Sequence, residues 1–161
     1  MNLFPAVVII SWLGILAGFL LGRATQEEVA HGKRWLIWLQ RATWLCVAAI
    51  LAWIFDFRTV ETVVIAVVFL AIILFEHQIP EPIKQLILAI SISLTLRNTL
   101  NAQALAMMGS AIFIHFLAKG ISVIPAKATK AKVWHLGMKK LTRSVTYPLA
   151  ALLLFFITVF F

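Results

Sequence analysis

The chain has a single cysteine, no acidic residue after Glu81, and few charges of either sign. Each scarcity excludes something. With Cys46 alone, and that in an apolar run, neither an intramolecular disulfide nor a multi-cysteine zinc site can form. Charged residues fill 12% of the 161 positions against 63% hydrophobic, too little polar surface to wet a water-soluble domain. The familiar catalytic signatures are also missing: there is no nucleotide-binding glycine loop, nucleophile elbow, zinc-protease helix or sugar-processing carboxylate pair. Their absence lowers the expectation of an enzyme. Positive charge is missing at the start as well, since no Lys or Arg precedes the apolar run Leu3 to Leu21. A cleavable signal has a basic leader and a shorter core, so this run reads as a retained membrane span.

What is present is a succession of apolar runs long enough for helices at a rise of about 1.5 Å per residue. They predict an all-α, polytopic integral membrane protein, a single transmembrane domain over 1–161 with six spans at about 3–21, 35–55, 60–75, 83–100, 102–124 and 145–161. Pro80 and Pro82 forbid a continuous helix between the third and fourth runs and predict a turn there. No internal repeat of the kind found in many secondary transporters is visible.

Lys and Arg in short loops stay cytoplasmic, and their positions orient the spans. Arg23, Lys33 and Arg34 fall in the first loop, Lys84 in the third, and Lys119, Lys127, Lys130, Lys132, Lys139, Lys140 and Arg143 in or beside the fifth, 125–144. All three loops share one side, which places both termini on the non-cytoplasmic face of a plasma or inner membrane. Arg41 lies inside the second span near its cytoplasmic end, where it can snorkel. Trp35, Trp38 and Trp53 fall at expected interfaces; Trp12 and Trp44 do not. The net charge of +8 suits anionic lipid headgroups, and with most of the chain in hydrocarbon no nucleic-acid partner is expected.

Gly14, Gly18 and Gly22 form a G-x-x-x-G-x-x-x-G face on the first span, where two helix backbones can approach closely. That face serves either a contact within the molecule or a docking surface for a homo-oligomer or partner subunit. Ala102, Ala106 and Ser110 form a weaker small-residue face on the fifth span. Polar groups within a span are costly, and the fourth and fifth hold most of them. Arg97, Asn98 and Asn101 cluster between two apolar runs, as an external hairpin or as a polar mouth. His115 sits well inside the fifth span on the face of Met108, Ala111 and Lys119. It is either a hydrogen-bonded buried histidine or a proton relay or substrate contact. These four residues are the transport-path candidates.

Two predicted cytoplasmic loops bring Glu28 and His31 toward His77 and Glu81, a set of the kind that binds a divalent metal. Glu28 and His31 have the Glu-x-x-His spacing of carboxylate metal sites, although a second copy is missing. The simpler alternative is a solvated loop with Thr25 as N-cap ahead of Glu28. Haem is not expected, because His31, His77 and His135 all fall in predicted loops and leave His115 without an intramembrane mate. Trp134, Met138, Leu141 and Val145 recur with helical spacing among Lys130, Lys132, Lys139, Lys140 and Arg143. This predicts a basic amphipathic helix lying on the cytoplasmic leaflet, its cations on anionic headgroups. The leading functional expectation is a transport or channel-type protein, or a membrane subunit of one. The alternatives are an enzyme acting on a phosphate-bearing lipid at the cytoplasmic face, and a non-catalytic assembly subunit.

Overall fold

A computed structural model of the chain describes residues 3–54, 60–76, 78–97, 102–124 and 130–160, which form seven helices and no strand. They are α1 (Phe4–Ala24), α2 (Gln26–Ile54), α3 (Val60–Leu74), α4 (Glu81–Arg97), α5 (Ala102–Ser122), α6 (Lys130–Ser144) and α7 (Thr146–Phe160). Four stretches are long and apolar enough to cross a membrane: Phe4–Ala24, His31–Ile54, Ala102–Ser122 and Trp134–Ile157. The third and fourth predicted spans are shorter helices. At 15 and 17 residues, α3 and α4 rise about 22 and 25 Å, against a hydrocarbon core about 30 Å thick.

Local chemistry sets the ends. Pro5 sits in the first turn of α1, where its missing N–H costs no hydrogen bond. At the other end Thr25 donates its hydroxyl to Leu21 O at 3.1 Å, and its backbone N–H bonds the same carbonyl. Thr25 therefore closes α1 instead of capping a new helix through its side chain, and α2 begins at the next residue. The expected first loop is helical. After α3 the chain turns through Phe75, whose carbonyl receives the Gln78 N–H at 2.9 Å, and Pro80 O receives the Ile83 and Lys84 N–H groups as α4 starts.

The centre of the bundle is the contact between α1 and α5, which run parallel. A Cβ built at Gly14 or Gly18 would collide with the backbone carbonyl oxygen of Phe113 or Leu117, and one at Gly22 would meet Ile124 Cδ1 at 3.0 Å. The relation is mutual, since a Cβ on Gly120 would strike Ile15 O. Ser11 adds a polar tie between the helices, its Oγ lying 3.0 Å from Gly109 O while also reaching Val7 O at 2.6 Å. The strong glycine face is thus consumed inside the molecule. The weaker face is not: Ala102, Ala106 and Ser110 point outward.

On its other flank α1 meets α6 and α7, which run antiparallel to it. Trp134 packs on Phe19 at 5.9 Å, Trp12 Nε1 donates to Ser144 Oγ at 2.9 Å, and the Phe155 ring stacks on Phe4 at 5.0 Å. Only Val145 separates α6 from α7. The amphipathic helix therefore descends along α1 toward α7 and does not spread away from the bundle as a flat surface helix would. Gly137 makes this approach possible, because any side chain there would enter the Phe19 ring. An aromatic column of Trp44, His115, Phe116 and Tyr147 fills the core, with Phe69 of α3 against Trp44. The other face of α3 is exposed, where Val60, Val63, Val67 and Leu74 form an apolar surface that suits hydrocarbon and not water.

Gly18→Leu is expected to lower stability by about 3 kcal/mol, the upper end of overpacking costs, because the side chain must displace backbone. Gly32→Ala is the control, since nothing lies within 4 Å of a Cβ at that position. Equal thermal melts of the two variants in detergent would rule out the α1/α5 contact.

Candidate functional site

Charged groups gather at the end of the bundle where α2, α4, α5 and α6 meet. Glu81, in the first turn of α4, makes an ion pair with Lys119 in the last turn of α5. Its other oxygen lies 3.7 Å from Lys84 Nζ, one turn further along α4. Lys84 and Lys119 are buried at 8% and 6% exposure, so both ammonium groups have left most of their water behind. Lys140 of α6 is a third cation acting on the same carboxylate.

One turn before Lys119 on the same face of α5 lies His115, 3% exposed. Its Nδ1 is 3.1 Å from Thr43 Oγ1 of α2, and that hydroxyl lies 2.7 Å from Gln40 O. Thr43 has one proton and donates it to Gln40, so its oxygen accepts from His115 and the imidazole proton belongs on Nδ1. Trp44 meets the imidazole edge-on at 5.0 Å. Beside this seam Arg41 turns onto Glu76 with Nε 3.5 Å from Oε2, and its guanidinium lies 5.6 Å over the Trp38 ring. Arg41 is therefore paired within the protein at the place where snorkelling was expected.

Of the transport-path candidates, His115 joins the seam. Arg97 ends α4, about 24 Å along the helix axis from Glu81; Asn98 and Asn101 lie outside the described residues. Of the metal candidates, Glu28 and His31 are exposed in the first turns of α2, Glu81 is engaged by lysines, and His77 lies outside the described residues. Among the described residues no three His, Cys, Asp or Glu side chains converge as a metal site. Of the headgroup candidates, Lys139 and Arg143 are exposed, Lys140 is half-buried beside the seam, and Lys130 and Lys132 lie in the first turn of α6. Sequence reasoning missed Thr43, Lys84 and the Arg41–Glu76 pair as members of one site. Their only signal was helical phase, which does not show which helices meet.

Comparison with family models, curated proteins and solved structures finds no match to this chain.

Removing one partner of a buried ion pair costs about 3–5 kcal/mol by leaving the other charge uncompensated. The Glu81 side chain is 37% exposed, so Glu81→Gln is expected to cost less, on the order of 2 kcal/mol. Glu81→Gln/Lys119→Met should recover much of this loss in thermal melts, and additive losses would exclude the coupling.

Proposed function

We propose a transport-type membrane protein, or the membrane subunit of one, with six crossings made by α1, α2, α3, α4, α5 and the α6–α7 rod. The basic end is cytoplasmic and both termini lie on the opposite side. The observation that carries this reading is the Lys119–Glu81 pair, which joins α4 to α5 directly above His115 and Thr43. Buried charges are expensive, and replacing an ion pair by apolar packing is often neutral or stabilising, so such a pair is a functional feature by default in a chain of this composition. The pair closes the cytoplasmic end of a polar seam, and His115 is the first titratable group beneath it. Separating the pair would expose the imidazole to the cytoplasm, giving the seam one closed and one open arrangement. Orientation is supported by the clustering of Lys and Arg at one end. A phosphate-lipid enzyme has weaker support, because its proposed metal ligands do not converge among the described residues.

Two experiments test this. A fluorescent reporter active only in the cytoplasm and fused after Phe161 is expected to stay dark; a bright fusion would overturn the orientation. In a Cys46→Ser background, His115→Cys should react slowly with an impermeant thiol reagent applied to the cytoplasmic face. Adding Glu81→Gln should speed labelling about tenfold, the change expected when an opening equilibrium shifts by 1.4 kcal/mol. If wild-type proteoliposomes pass no proton, anion or small neutral solute above empty liposomes, the transport reading is lost and an assembly role takes its place.

A further inference from the structure

The charges around Glu81 do not balance. Lys84 and Lys119 lie against one carboxylate, Lys140 of a third helix adds its field to the same carboxylate, and the neighbouring Glu76 faces Arg41. No further acid can come from α5, α6 or α7, because the sequence has none after Glu81. Two of the three ammonium groups are buried, where an uncompensated charge costs far more than at an exposed site. The first turn of the 17-residue α4 directs the positive end of its dipole to the same place. Gln85 lies one turn after Glu81 on the same face of α4. It is 2% exposed, and its Oε1 has no hydrogen-bond partner among the described residues. A half-turn about the last side-chain torsion exchanges the amide oxygen and nitrogen, so that from this position the NH2 can donate to a phosphate oxygen.

We infer that Lys84, Lys119, Lys140 and Gln85 bind a phosphate monoester at the junction of α4, α5 and α6. A monoester carries about 1.5 to 2 negative charges near neutral pH, which matches the surplus of three ammonium groups over one carboxylate. Glu81 holds Lys119 when the site is empty and competes with the incoming anion. This inference deepens the proposed function by naming a ligand class and rests on it only for treating this end of the bundle as the working end. Binding is read at equilibrium, so a protein that binds phosphate without flux would lose the transport reading and keep this one.

The test is titration of the purified full chain in lipid nanodiscs, followed by tryptophan emission, since Trp134 and Lys140 line the same crevice beside Gly120. One arm uses phosphatidic acid against phosphatidylcholine, and a second uses soluble glycerol phosphate in phosphatidylcholine discs. Saturable binding in either arm is expected, and the arm that binds identifies a lipid or a free phosphate ester as the source. Lys84→Gln/Lys140→Gln should weaken binding about tenfold or more, at ~1 kcal/mol per cation, while Lys139→Gln/Arg143→Gln on the exposed face should change it little. Lys84→Arg/Lys140→Arg should retain binding, and Glu81→Gln should tighten it by removing the competitor. No saturable binding in either arm would overturn the inference. So would equal losses in the two double variants, or weaker binding in Glu81→Gln, and the last of these does not depend on the Lys84→Gln/Lys140→Gln variant folding well.

Discussion

The bundle depends on how closely the backbones of α1 and α5 approach. Within a bilayer, helices gain nothing by hiding apolar side chains from lipid, so association relies on van der Waals packing and polar ties. Gly14, Gly18 and Gly120 let carbonyl groups of one helix sit where side chains of the other would be. The parallel register that results brings Ser11 to Gly109 O and turns the opposite face of α5 toward α2 and α4. His115 and Lys119 lie on that face. The glycine contact, although it contains no functional group, is therefore what aims the polar seam.

The second constraint is charge in a place that disfavours it. Buried ions rarely improve stability over apolar packing of equal volume, and the Lys119–Glu81 and Arg41–Glu76 pairs are better understood as features that join helices at one end of the bundle. They contrast with several buried hydroxyl and indole groups elsewhere in the interior, each of which has a modest neutral partner. Ser93 bonds Ala89 O, Thr95 bonds Ile92 O, and Trp12 finds Ser144. Such bonds satisfy a donor without joining charges, and they leave the interior neutral away from the seam.

Much of this was legible from residue order. The apolar runs marked six of the helices and the amphipathic segment marked α6, although α2 begins at Gln26, well ahead of the expected 35, and the glycine spacing marked a close backbone contact. Thr25 misled because the capping-box pattern cannot distinguish a threonine that starts one helix from one that closes the helix before it; its hydroxyl chose Leu21 O. The amphipathic segment misled about direction. Its apolar stripe suits a bilayer surface or the flank of another helix equally well, and Phe19 over Gly137 selects the flank. The metal set read across two loops did not assemble among the described residues, since Glu81 faces lysines that the sequence placed 3 and 38 positions away.

The sequence by itself determined the all-helical class, the apolar stretches able to cross a membrane, the surplus of positive charge and the existence of a glycine contact. These follow from composition and from the 3.6-residue period, which are properties of one helix at a time. The tertiary structure alone decided that the glycine face of α1 is met by α5, that Glu81 pairs with Lys119, and that His115 bonds Thr43. A helix face carries no information about which other face it will meet. That choice comes from the shapes and charges of all the helices packed together.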